Sequence, residues 1–115
     1  MGGTMASIRK RLLAVPEVET TRDGGHTSVF VRLQRGRAAR GTQPDPRTEI
    51  VLYQDSEGVP VSVKFFDPVP PAAMLRVLAV CVRMCPRDEP VLVDRLLTAF
   101  AMAAARLAPR RSGAA

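Results

Sequence analysis

The sequence contains few of the residues on which most metal and cofactor sites are built. It has no tryptophan, one tyrosine, one histidine and two cysteines among its 115 residues. Cys81 and Cys85 do not have the C-x-x-C spacing of zinc sites, and no second pair completes a tetrahedral set. His26 stands in a glycine-rich turn. We therefore predict buried thiols that pack as small hydrophobic side chains, with neither a metal nor a cofactor site.

Motifs of phosphate binding and hydrolysis are missing as well. Neither GxxxxGK[ST] nor GxGxxG occurs. Asp23, His26 and Ser28 could be drawn as a catalytic triad, but they crowd one turn, and no glycine elbow surrounds the serine. We predict a protein without catalytic residues, and a hydrolase is kept as the alternative.

Length and hydropathy favour one domain. A chain of 115 residues with 46% hydrophobic side chains can form a modest core, and we expect flexible ends at residues 1–5 and 109–115. Charged residues interrupt every apolar run before it reaches the roughly 20 residues that span a bilayer. We see no secretory leader. The expectation is a soluble intracellular protein, cytoplasmic by default, without membrane contact.

The net charge of +6 is distributed unevenly along the chain. Residues 1–47 carry nine basic and four acidic side chains, residues 48–68 one and four, and residues 69–115 seven and three. Because the middle of the chain is acidic, contact with a polyanion would use the two ends and the arginine-rich connection between the first strands.

Alternating apolar residues predict three antiparallel strands, at 28–34, 49–54 and 59–66. Asp55-Ser56-Glu57-Gly58 is typical of a hairpin turn between the last two. Pro60 cannot donate to a strand ladder, which favours an edge position for the strand it begins. Before these strands, residues 6–14 predict a short helix that ends at Pro16, and residues 17–27 a loop.

Two helices are predicted to follow, at 71–84 and 90–107. The first is apolar on most of its circumference and is expected to be covered on two sides, whereas the second has one broad apolar face. The predicted fold is α+β: a two-layer sandwich of a short N-terminal helix, a three-stranded antiparallel sheet and two C-terminal helices.

The sheet face turned away from the helices would carry Phe30, Tyr53 and Phe66. Exposed apolar residues of this kind, with any uncovered rim of the helices, call for a partner, and a homodimer is the economical answer. The alternative is that the N-terminal segment folds over this face. We predict these three aromatic residues as an oligomer or partner face.

An arginine-rich loop at 35–48 is the second candidate site. Arginine suits phosphate because its guanidinium donates a planar fork of hydrogen bonds, but no aromatic residue is interleaved in the loop to stack on a base. Contact with a nucleic acid, contact with a protein and simple solvation therefore stay open. The candidate contact residues are Arg32, Arg35, Arg37, Arg40 and Arg47.

Together these observations predict a small accessory or regulatory binding protein that self-associates. It would contact an unknown protein partner through the basic loop and the apolar sheet face. The alternative is a nucleic-acid-binding protein whose loop, residues 32–47, and basic termini contact phosphates. The two differ in the salt dependence of binding.

Overall fold

The computed structural model describes residues 10–87 and 89–107, which form a five-stranded antiparallel sheet with two helices. The strand order is β1-β2-β5-β4-β3. The predicted α+β class is confirmed, whereas the predicted three-stranded sheet is wrong. The elements are β1 (Leu12–Asp23), β2 (His26–Gln34), β3 (Arg40–Thr42), β4 (Ile50–Gln54), β5 (Pro60–Phe66), α1 (Pro71–Arg83) and α2 (Pro90–Leu107).

The first additional strand begins at Leu12, inside the predicted N-terminal helix, of which Lys10 and Arg11 are helical, and it takes the place of the predicted loop. β1 pairs with β2 through a two-residue turn, in which Gly24 and Gly25 both adopt positive φ angles of 58° and 83°. Two consecutive residues with positive φ match the twist of a hairpin, and glycine adopts them without strain. Pro16 is accommodated because the β1–β2 register shifts between Leu12 and Glu17. Residues 6–9 of the predicted helix lie outside the described residues.

The second additional strand lies inside the predicted arginine-rich loop. β3 pairs with β4 over three residues, although the glycines and prolines of this stretch predicted no regular structure. Gly41 sits opposite Tyr53 and is tolerated because the pairing partner supplies the side chain that covers it. The loop is therefore two short connections on either side of an edge strand.

The position predicted for β5 is also wrong. β5 is the central strand, flanked by β2 and β4, whereas Pro60 favoured an edge. Pro60 is the first residue of β5 and pairs with Gln54 beside a register irregularity, so its missing N–H falls at the start of the ladder. Its carbonyl accepts a hydrogen bond of 2.7 Å from Nε2 of the buried Gln34.

The core lies between one face of the sheet and the helices. α2 packs across β1 and β2, and α1 packs beside α2. The rings of Phe65 on β5 and Phe100 on α2 meet edge to face at 5.0 Å. The strand residues that face this core alternate along the chain, as the sequence predicted: Val29, Val31, Leu33, Ile50, Leu52, Val63 and Phe65.

The helices are less completely covered than predicted. Leu92, Leu96 and Phe100 of α2 are buried as expected, but Leu97 is 48% exposed, and Leu75 of α1 is 69% exposed. On α1, Met74, Val77 and Cys81 are buried in the core and α2 packs alongside, whereas the rim that carries Leu75 has no cover within the described chain. No helix among the described residues is long and apolar enough to cross a membrane.

Candidate binding surface

The sheet face opposite the helices holds the three aromatic residues predicted as a partner face. Phe30 lies on β2, Tyr53 on β4 and Phe66 on β5. The rings of Phe30 and Tyr53 lie 6.1 Å apart at a tilt of 57°. They meet across β5, where the small side chain of Ser62 lies opposite both Arg32 and Tyr53. A larger residue at position 62 would separate the two rings.

Gly41 on β3 supports Tyr53 from the other side. A Cβ atom at position 41 would lie 3.0 Å from Cε1 of Tyr53 and 3.1 Å from Cγ1 of Val51, closer than normal van der Waals contacts. The absence of a side chain lets the Tyr53 ring and Val51 extend over the edge strand. Phe30, Val51 and Tyr53 are all half-buried and make up one cluster on the open face.

The third aromatic residue, Phe66, interacts with a lysine of the same strand. Nζ of Lys64 lies 5.1 Å from the centre of the Phe66 ring, a cation–π distance. Lys64 is directly opposite both Phe30 and Val51 in the sheet. A positive charge therefore lies between Phe66 and the Phe30–Val51–Tyr53 cluster.

Carboxylates share this open face with the cations. Glu17 of β1 is opposite Arg32, and Glu19 is opposite Phe30. These residues line a shallow hollow of about 370 Å³ along β1 and β2. The open face is therefore an aromatic centre with charges of both signs, and not a uniformly basic plate.

The five predicted arginines fall into separate environments. Arg47 is bound to its own turn: Oδ1 of Asp45 accepts hydrogen bonds from its backbone N–H at 3.0 Å and from its Nε at 3.2 Å. Nε of Arg76 lies 3.5 Å from Oδ2 of the same carboxylate. The hydrogen bonds from the backbone and side chain of Arg47 lower the pKa of Asp45 below its ordinary value.

Arg35, Arg37 and Arg40 are exposed, and within the described part of the chain no ion pair occupies them. The backbone N–H of Arg35 donates to the carbonyl of Arg11. Nε of Arg11 donates a hydrogen bond of 3.1 Å to Oε1 of Gln34, and Nη2 of Arg11 lies 3.5 Å from Oδ2 of Asp55. The exposed guanidiniums therefore gather at the end of the sheet where β2 leaves for β3.

Arg32 connects this basic end to the open face. It lies two residues beyond Phe30 on β2, in the sheet row that continues through Ser62 to Tyr53. The fold thus brings one of the arginines and two of the aromatic residues, predicted as separate sites, onto one surface next to the exposed arginines. The i, i+2 alternation with Tyr53 and Phe66 places Val51 and Lys64 on this face already in the sequence, whereas nothing in the sequence marked the contact of Gly41 with Tyr53.

The side chains considered for metal or catalytic chemistry lie in two separate places: the cysteines in and just after α1, and Asp23, His26 and Ser28 on the β1–β2 hairpin. Cys81 and Cys85 are buried, and burial raises the pKa of Cys81 to about 12 and that of Cys85 to about 11. His26 is exposed at the start of β2. The described residues contain no group of three histidine, cysteine or acidic side chains that could hold a metal ion.

Comparisons with models of known protein families, with curated proteins and with solved structures find no match to this chain.

Proposed function

We propose that this protein is a small non-catalytic accessory or regulatory binding protein. Its contact surface is the aromatic cluster on the open sheet face together with the exposed arginines beside it. The observation that supports this most is the continuity between the two: the row of Arg32, Ser62 and Tyr53 runs from the basic end into the Phe30–Tyr53 pair. Partly exposed aromatic residues and arginine are the residue types enriched where proteins bind proteins. An intracellular location is part of this proposal.

A protein segment that carries both acidic and apolar residues is the partner that fits this surface. Arg35, Arg37 and Arg40 supply unpaired donors for carboxylates, and the ring cluster supplies an apolar contact. Glu17 and Glu19 on the open face oppose a phosphate chain laid across it, because like charges repel.

Binding of a nucleic acid is the second candidate, and it is favoured by the three arginines that form no ion pair among residues 10–87 and 89–107. Phe30 and Tyr53 would then stack on bases. They would supply the aromatic contacts that the arginine-rich loop itself cannot make. The tilt of 57° between the rings is less suited to two successive stacked bases than parallel rings would be.

Tyr53 provides a direct assay. It is the only tyrosine and the chain has no tryptophan, so the intrinsic fluorescence of the protein reports on the open face. We would titrate the protein with an acidic peptide that contains leucine but no aromatic residue. Labelled single-stranded RNA and DNA would be titrated in parallel by anisotropy, each over a salt series.

The decisive variant replaces Arg35, Arg37 and Arg40 by alanine. The matched control replaces Arg22, Arg83 and Arg87, which are equally exposed and remove the same net charge. We expect peptide binding that changes Tyr53 fluorescence, is lost in the loop variant and is kept in the control.

Two results would change the proposal. Tight binding of RNA or DNA alone, with a salt slope reduced by about two to three in the loop variant, would put the nucleic-acid function first. Equal loss of binding in the loop variant and the control would show that only net charge matters, and would refute the assigned surface.

A further inference from the structure

An apolar groove runs between the two helices, on the side of the molecule away from the open sheet face. Its volume is about 540 Å³, and every residue that lines it is apolar. Pro71 at the start of α1 and Leu107 at the end of α2 also share a second hollow, while the end of α1 and the start of α2 share a third, so the two helices are antiparallel neighbours. Leu75 and Leu97 stand at the groove and are 69% and 48% exposed.

The spacing of the lining residues is that of a helix-packing seam. On α1 the groove takes residues 71, 74, 75 and 78, and on α2 it takes residues 97, 100, 101, 104 and 107. Intervals of three and four residues form the stripe with which one helix packs against another. The stripe on α1 and the stripe on α2 already contact each other along the groove. No residue of the described chain covers the groove from outside.

We propose that a second copy of this chain fills the groove, so that two α1–α2 pairs form a four-helix bundle around a twofold axis. A twofold interface uses the same patch on both copies, and the patch must therefore be complementary to itself. This groove meets that condition. Leu75 and Leu97 are the exposed large side chains of the lining, and the small side chains of Ala101 and Ala104 line it as well, so the leucines of one copy are expected to pack on the alanines of the other.

The size of the patch predicts a reversible dimer. α1 has 13 residues and α2 has 18, so their lengths are about 20 and 27 Å. Two helices side by side, each about 10 Å wide, present roughly 400–500 Å² per copy. The total of about 1,000 Å² is at the lower limit of specific interfaces. An interface of this size holds two copies only reversibly, so we expect monomer and dimer to exchange in solution.

The proposal goes beyond the proposed function and is independent of it. The groove lies on the helical layer, so a dimer formed there leaves both open sheet faces and both basic ends accessible. The dimer would be bivalent for the partner, and a partner with two binding segments would be held more tightly than by one copy.

The test is sedimentation equilibrium of the full chain over a wide concentration range. The variants are Leu75→Glu and Leu97→Glu, which place a charge in the groove at positions that are exposed in the single chain. The matched control is Val15→Glu, because Val15 on β1 is 64% exposed and lies outside the groove. We expect the native protein and the control to dimerise, and both groove variants to weaken association at least 100-fold.

Circular dichroism shows whether each variant is folded. The unfolding midpoint of the native protein and the control should rise with protein concentration, and that of the groove variants should not. A native protein that stays monomeric at millimolar concentration would overturn the proposal. So would a dimer that survives both groove substitutions, or one that only Val15→Glu dissociates. None of these results bears on the peptide titration, so the two proposals fail separately.

Discussion

Two adjacent leucines on α2 provide a direct test of how the helix is oriented. Leu96 is fully buried between the helix and the sheet, whereas Leu97 is 48% exposed at the groove. Replacement of each by alanine removes the same atoms from the same helix. Leucine and alanine have similar helix propensities, and the small difference is the same at both positions. Any difference in stability therefore reports on burial.

The expected magnitudes differ several-fold. At position 96 the substitution loses the transfer free energy of the side chain and leaves a cavity in a close-packed core, which costs about 2–5 kcal/mol. At position 97 we expect about 0.5 kcal/mol, because a partly exposed side chain loses little on truncation. A domain of this length has a total stability of roughly 6–17 kcal/mol, so Leu96→Ala should fold. Leu96→Asp, which buries an unpaired charge, should not.

Urea denaturation followed by circular dichroism measures both values. With a slope of about 1–3 kcal/mol per molar urea, a loss of 3 kcal/mol lowers the midpoint by roughly 1–3 M. Protein concentrations must lie well below the dimer dissociation constant, so that Leu97 is not stabilised by a second copy. Equal shifts for the two alanine variants, or a fully folded Leu96→Asp protein, would refute the orientation of α2.

Three further predictions concern the sheet and the thiols. Gly41→Val should displace the Tyr53 ring, and the near-ultraviolet dichroism of that single tyrosine should change while the far-ultraviolet spectrum does not. Unchanged tyrosine dichroism would contradict the contact. Asp45→Asn should increase amide hydrogen exchange in residues 43–48, because it weakens the hydrogen bonds that hold the turn; protection equal to the native protein would exclude this role. Cys81 and Cys85 should react with a thiol reagent only after unfolding. Burial raises the pKa values of both thiols in the folded state. The contribution of the protonated thiols to the free energy of unfolding is therefore fully present below pH 9.0 and is lost as the pH rises towards 12. A double alanine variant with the same loss would assign that pH dependence to other groups.

Local patterns were sufficient for the central part of the fold. The alternation in β2, β4 and β5 and the periodicity of α1 and α2 predicted these five elements to within about two residues at each end. The turn at Asp55 was also predicted correctly: Gly58 has a φ of 83° and donates to the Asp55 carbonyl. These elements are determined by side-chain burial and turn geometry, which short stretches of sequence contain.

The edge strands were not predictable in the same way. β1 is mostly exposed and contains a proline, and β3 has three residues around a glycine, so neither has a clear apolar alternation. Both are strands because a neighbour offers them hydrogen-bond partners. The central place of β5 has the same origin, since strand order is a property of pairing and not of any single segment.

For the candidate site, the sequence by itself determined which residue types are available: arginines in and beside the connection that follows the first predicted strand, and aromatic residues on the predicted strands. Only the tertiary structure decided their grouping. It joined Phe30 to Tyr53 across β5 and placed Arg32 in one sheet row with Ser62 and Tyr53. It also left Leu75 and Leu97 uncovered. The physical reason is that local periodicity assigns a residue to a face, whereas contact and cover depend on which distant segment packs against that face.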